Sequence, residues 1–284
     1  MQNPGQIGYL LLSRLARFLP RRICYLLGET FGAMCFLLCT RRRTALYANL
    51  RVVTGRAQGR LPVGLGLAVM VNFARSVVDT FLIPYMDDGY LTRHVTVIDK
   101  AGLRAIADEG KGVVLVTAHL GSWELGGFAL ARLGYKITTV AGIQFSSSLS
   151  PMVKEMKARY GIAVTSARSG GLTMFRALRR GDLVALHIDG DQYLGGLETT
   201  FFGRRAAMPR GPAALALRTG AVLVPAFALR TSRDRVTIHL EEPISTAGGS
   251  EATVTRSLVA VVEDFVRQHP DQWCMFRPIW EQAS

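Results

Sequence analysis

The chain has 284 residues, and its 34 lysines and arginines against 21 aspartates and glutamates give a net charge of +13. Hydrophobic residues make up 49% of it, and the mean hydropathy is +0.22. This length can bury a sizeable core. Positive charge on an apolar chain favours anionic partners: phospholipid surfaces, phosphorylated substrates or acidic carrier proteins. Nucleic acid is a disfavoured partner, because the arginines are not accompanied by a zinc-finger spacing, an aromatic-interleaved strand motif or a basic tail.

Residues 1–92 are predicted to form a helical region that associates with a membrane. Residues 23–39 are nearly all apolar and lie between arginine clusters at 21–22 and 41–43. This stretch is short for a membrane span and carries Glu29 at its middle. The preceding segment, 9–19, is basic and amphipathic, which is typical of a helix lying in the membrane interface. We therefore prefer a monotopic anchor to a single-pass span; a helix pair buried in a soluble core is the remaining alternative.

A further helix is predicted at residues 64–86. Asn72, Arg75 and Asp79 recur on it at helical spacing and share one face. We take this face as solvated, with the wall of a polar cleft as the alternative.

The four cysteines, at positions 24, 35, 39 and 274, form no Cys-x-x-Cys pair. This pattern predicts reduced thiols that pack as small hydrophobes and indicates a cytoplasmic location. No histidine shows ligand spacing with His119, so we expect no metal. No nucleotide-binding loop is present either, and no cofactor is expected.

Residues 93–284 show the alternation of an α/β body. Predicted strands lie at 112–117, 136–141, 163–166, 183–188, 222–229 and 235–240. Predicted helices lie at 122–133, 149–160, 172–180, 210–219 and 253–268. This order implies a mixed, largely parallel sheet flanked by helices, with the ligand at the carboxyl ends of the strands.

Two polar groups fall at such strand ends: His119, and residues 189–192 (DGDQ) after the strand at 183–188. His119 follows the first of these strands, and Glu124 lies in the first turn of the next helix. A glutamate that holds one ring nitrogen of the histidine would leave the other to accept a proton from a substrate hydroxyl. On spacing alone, a histidine at a strand end and a glutamate that stabilises a helix N-terminus are the commoner reason for such a pair.

Several short motifs of the sequence support the pairing of His119 with Glu124 in an active site. Residues 117–125, TAHLGSWEL, resemble the His-x4-Asp/Glu block of the bacterial late acyltransferases of lipid A biosynthesis, a family that includes phosphatidylinositol mannoside acyltransferases. Further resemblances follow in the family's order: 41–50, 175–182 (FRALRRGD), 189–192 (DGDQ), 201–203 (FFG), 209–219, 270–273 (PDQW) and 277–280 (RPIW). Pro278 departs from the basic residue usual in the lipid A enzymes, which leaves the acceptor open.

The resemblance implies a glycerolipid-acyltransferase-like fold with a membrane-associating N-terminal region. It also implies an acyl donor on acyl carrier protein or coenzyme A, and an anionic glycolipid acceptor at the cytoplasmic face of the cell inner membrane. His119 would be the general base and Glu124 its orienting carboxylate. The residues expected to bind substrate are Trp123, Arg176, Asp189, Asp191, Arg204 and Arg210. A glycolipid-binding protein without catalysis, and a thioesterase or lipase, are the alternatives.

Overall fold

The computed structural model describes residues 14, 16–56, 62–140, 150–166, 170–189 and 196–280. In this part of the chain a seven-stranded sheet forms the centre, in the order β1-β9-β8-β2-β5-β3-β4. Its strands are β1 (Val95–Asp99), β2 (Val113–Thr117), β3 (Ile137–Val140), β4 (Ile162–Thr165), β5 (Leu183–His187), β8 (Val222–Arg230) and β9 (Val236–Leu240). All neighbours run parallel except β8 and β9, which are antiparallel.

Helices precede the sheet and connect its strands. They are α1 (Arg21–Leu38), α2 (Thr40–Val53), α3 (Val63–Leu82), α4 (Asp88–His94), α5 (Leu103–Asp108), α6 (Trp123–Arg132), α7 (Ser150–Arg159), α8 (Gly171–Arg179), α9 (Gly211–Thr219) and α10 (Glu251–Gln268). The predicted α/β class, with its largely parallel sheet, is confirmed. Each strand predicted from 112 onwards is present, because continuous apolar runs such as that of β2 are buried on both faces.

Three strands were not predicted. The edge strand β1 is mostly exposed and so lacks an apolar run. The hairpin of β6 (Leu197–Phe201) and β7 (Arg204–Met208) forms a separate two-stranded sheet, and its residues alternate between buried and exposed. The predicted division at residue 92 stays a prediction.

Asn72 and Asp79 of the polar set on α3 do not face solvent, so the solvated interpretation was wrong for them, whereas Arg75 is partly exposed. Asp79 is completely buried, and Asn72 is nearly so. Helical spacing places such residues on one face but cannot say whether that face meets water or other buried polar groups.

Helix α1 presents two different faces. Cys24, Tyr25 and Phe36 are buried against the rest of the protein. The opposite face exposes a set of large apolar side chains: Ile23, Leu26, Leu27, Phe31, Met34, Leu37 and Leu38. Such a patch is typical of a helix that lies in a membrane surface and also of a protein–protein interface.

One helical segment among the described residues, Val63–Tyr85, has the length and composition to cross a membrane. It consists of α3 and the short 3-10 helix Ile83–Tyr85 that follows it. Its most apolar window is 56% buried within the protein, as a core helix would be. Helices α1 and α2 pass the same test only when counted as one span, and they bend by 90°.

Asn49 on α2 fixes a distant segment of the chain. Its amide donates to the carbonyls of Met275 (3.0 Å) and Arg277 (2.7 Å) and accepts from the amide of Ile279 (3.2 Å). The side chain is 1% exposed, so these backbone groups have little access to water. Helix α2 is therefore tied to residues 275–279, which lie more than 200 positions away.

We expect Asn49→Ala to lower the free energy of unfolding by about 2–4 kcal/mol, because it leaves buried backbone groups without partners. Thr44→Ala, an exposed change on the same helix, should cost less than about 0.5 kcal/mol. Urea unfolding of both variants provides the measurement. Equal stability of the two would contradict the role given to Asn49.

Candidate active site

The candidate site lies at the carboxyl ends of β2 and β5. These strands are parallel neighbours, with Thr117 opposite His187. His119 lies two residues beyond the first position of this pair, and Asp189 lies two residues beyond the second. Strand order thus brings together two side chains that are 70 positions apart in sequence.

Asp189 holds His119 through two hydrogen bonds. One carboxylate oxygen accepts from the backbone amide of His119 at 2.7 Å, and the other lies 2.9 Å from Nδ1 of its ring. The indole Nε1 of Trp273 also donates to Asp189, at 3.0 Å. Burial alone would raise the pKa of the Asp189 carboxyl, but the charge and hydrogen bonds of His119 outweigh burial and hold that pKa below its usual range. Asp189 is therefore an anion inside the protein.

Glu124 has a different partner from the one that the sequence predicted. Its carboxylate pairs with Lys157 of α7 at 2.8 Å, while the carboxylate at Nδ1 of His119 belongs to Asp189. The carboxylate hydrogen-bonded to Nδ1 of His119 is therefore that of Asp189 and not that of Glu124. The physical reason is that β5, not the start of α6, presents its carboxylate to this ring nitrogen.

Two further aromatic rings surround His119. The imidazole of His187 stacks on it, with ring centroids 4.2 Å apart and planes inclined by 22°. Trp123 meets both rings edge to face, at 5.4 and 5.9 Å. Burial, followed by the nearby His119, lowers the pKa of His187 to about 3, so that ring is neutral at physiological pH. The rings limit rotation of His119 and add no charge beside it.

The turn that carries His119 is fixed through its backbone. The carbonyl of His119 accepts from the amide of Cys274 at 2.8 Å, and the amide of Gly121 donates to the carbonyl of Gln272 at 3.0 Å. Ser122 donates its amide to the carbonyl of Ala228 at 2.7 Å. Gly121 has a φ of +67°, and a Cβ there would collide with the backbone of Ala228.

The other predicted binding residues that the structure describes are three arginines on the protein surface. Arg176 on α8 and Arg204 on β7 are exposed, and Arg210 at the start of α9 is exposed and pairs with Glu251 at 3.2 Å. Asp191 lies outside the described residues. Of the predicted binding set, the structure brings Trp123 and Asp189 into contact with His119.

Sequence reasoning missed Lys157, His187 and Trp273 as members of the site. A signal existed for His187, which lies two positions before Asp189 and so on the same side of an extended strand. A signal also existed for Trp273, in the PDQW block. Lys157 gave none. No group of His, Cys, Asp or Glu that could hold a metal ion occurs in the described ranges.

Proteins of known activity resemble this chain over nearly its whole length. The family described as bacterial lipid A biosynthesis acyltransferase matches residues 6–282. A phosphatidylinositol mannoside acyltransferase of Mycolicibacterium smegmatis is 28% identical over 279 residues, covering 96% of this chain and 90% of that protein. Proteins of the same name from two strains of Mycobacterium tuberculosis are 28% identical over 241 residues, covering 83% of this chain and 76% of theirs. The chain therefore belongs to the bacterial lipid A biosynthesis acyltransferase family and is an acyltransferase.

Proposed function

We propose that the protein transfers a fatty acyl group from an acyl thioester to a hydroxyl of an anionic glycolipid, with His119 as general base. The donor is acyl carrier protein or acyl-coenzyme A. The observation that carries the proposal is the buried pair of His119 and Asp189 at the carboxyl ends of parallel strands. This is where ligands bind in such sheets.

The pair supplies a base with one defined orientation. The hydrogen bond to Asp189 keeps a proton on Nδ1 of His119, so the basic lone pair is on Nε2. Nε2 takes the proton of the acceptor hydroxyl while its oxygen bonds to the thioester carbonyl carbon. The carbon–sulfur bond then breaks, and the imidazolium returns the proton to the leaving thiolate. No acyl-enzyme forms, because the acceptor is itself the nucleophile.

Asp189 acts mainly in the transition state. Its negative charge is 2.9 Å from Nδ1 and stabilises the imidazolium that forms as the proton moves. Glu124 takes another role, as the partner of Lys157. Their ion pair joins α6 to α7, and both side chains are largely shielded from water.

The names of the relatives favour a phosphatidylinositol mannoside as acceptor, whereas the description of the family favours a lipid A precursor. Both are glycolipids that carry phosphate. In either case we assign phosphate contacts to the exposed arginines Arg176, Arg204 and Arg210, and we assign Asp191 to the sugar hydroxyls. Mass spectrometry of membrane lipids with and without the gene identifies the acceptor by its missing acyl chain.

The exposed apolar face of α1 would seat the protein on the cytoplasmic side of the inner membrane, as a monotopic anchor. The net charge of +13 would add attraction to anionic lipid. A donor arriving from the cytosol and an acceptor held in the bilayer would then meet at the sheet edge that carries His119.

We expect His119→Ala to reduce acyl transfer by about 10²–10⁴-fold, because it removes the general base. The assay follows labelled acyl groups from thioester to native membranes. His239→Ala, a change on β9, serves as the matched control and should leave the rate unchanged. Wild-type turnover in His119→Ala would overturn the proposed mechanism.

A second comparison separates the two acidic residues. Asp189→Asn should lower kcat by at least about 100-fold, because the charge that stabilises the imidazolium is lost. Glu124→Gln should lower kcat by no more than about 10-fold, because the ion pair that is lost takes no part in the proton transfer. Circular dichroism of both variants checks folding. The reverse order of effects would return the orienting role to Glu124.

The membrane assignment is tested on the surface of α1. Deletion of the helix is unsuitable, because Tyr25 and Phe36 belong to the buried part of the protein. Leu27→Glu combined with Phe31→Glu should weaken binding to anionic vesicles at least about 10-fold, since each large apolar side chain contributes about 1.5–3 kcal/mol when buried.

Cosedimentation at high salt is the measurement, because salt screens the general attraction of a basic protein to anionic lipid. Leu133→Glu changes a similarly exposed leucine, 56% against 57% for Leu27, at the end of α6. This control should bind normally. Unchanged binding of the α1 double variant would show that another surface holds the membrane.

A further inference from the structure

The turn that carries His119 is also held from outside the sheet, by helix α3. Ser76 donates its hydroxyl to the carbonyl of Gly121 at 3.0 Å. Ser122 donates its hydroxyl to the carboxylate of Asp79 at 2.6 Å. Two residues of α3, one helical turn apart, thus bond two consecutive residues of the turn.

The bond from Ser122 is unusual for its position. Ser122 is the N-cap of α6, and a serine there ordinarily accepts a hydrogen bond from an amide of the first helical turn. Here the side chain makes no capping bond, and its hydroxyl points to Asp79 instead. The bond therefore contributes to the placement of the turn rather than to the start of the helix.

Asp79 has two more partners, and these fix where its carboxylate lies. The hydroxyl of Tyr25 on α1 donates to it at 2.5 Å, and the guanidinium of Arg230 at the end of β8 forms an ion pair with it. Asp79 is completely buried, and Arg230 is nearly so. A buried carboxylate cannot exchange such partners for water without a large cost. The group therefore has one stable arrangement.

Helix α1 is closely joined to α3 near this group. A Cβ at Gly32 would lie 2.8 Å from the Cβ of Ala74, so only glycine permits the observed separation of the helices. Glu29 pairs with Arg75 at 2.9 Å on the same interface. A displacement of α1 would therefore displace α3 as well.

We propose that Asp79 is a positioning residue for acyl transfer: through Ser122 it places the turn that carries His119, and through Tyr25 it makes that placement depend on helix α1. The inference rests on the proposed function, because His119 must be the base for its placement to matter. Asp79 is not a catalytic residue; it acts through the turn.

The first test is Ser122→Ala in the full-length chain, assayed with a labelled long-chain acyl thioester and native membranes. We expect kcat to fall about 10–100-fold, because displacement of a base by about 1 Å costs this much. KM for the donor should stay within about twofold, since donor contacts are not altered. Thr255→Ala removes another completely buried hydroxyl, on α10, and should keep wild-type kcat.

The second test is a double-mutant cycle with Tyr25→Phe, which removes a hydroxyl and keeps the ring. Tyr25→Phe should also lower kcat, about 3–30-fold, because Asp79 loses one of the bonds that fix it. The double variant should lose less than the product of the two single losses, because both act through one carboxylate. Asp79→Asn leaves Arg230 as an unpaired buried charge and is expected to fold poorly.

Several outcomes overturn the inference: wild-type kcat in Ser122→Ala, or a loss of rate that only follows the folded fraction. Multiplicative losses in the double variant would equally exclude a shared carboxylate. These results leave the proposed function intact. Full activity of His119→Ala would instead remove the proposed function itself, so the two failures are distinguishable.

Discussion

The site depends on the charge of Asp189, a carboxylate that is 1% exposed. An anion at this depth must be compensated within the protein. Two donors of His119 and the indole of Trp273 provide this compensation. The same bonds that stabilise the anion fix the imidazole of His119, so protein stability and orientation of this ring have one origin. Strand pairing of β2 with β5 is what makes these bonds possible.

The fold was largely predictable because its central strands are buried on both faces and read as apolar runs. Strand β1 escaped prediction because an exposed edge lacks such a run. The position of His119 was predictable from the rule that sites lie at strand ends. Its partner was not, because Glu124 is close in sequence, whereas Asp189 is close only after β5 pairs with β2. Sequence order alone would have placed β3 next to β2.

The helices before the sheet contribute to the site from outside. The polar face of α3 looked like a solvated surface, yet Ser76 and Asp79 meet the turn that carries His119. Helical periodicity could not reveal this, because the groups that satisfy these side chains come from α1, β8 and the start of α6. Residues of α3 thus contribute both to the packing of the helix and to the turn that carries His119.

The hydrogen bonds made by Trp273 and Gln272 determine when the turn that carries His119 can be completed during biosynthesis. Both lie after α10, yet they bond Asp189 and the backbone of Gly121. A nascent chain that has left the ribosome only as far as α10 can form β2 and β5, but lacks the groups that complete the turn between β2 and α6. The turn that carries His119 is therefore completed only after residue 273 has emerged.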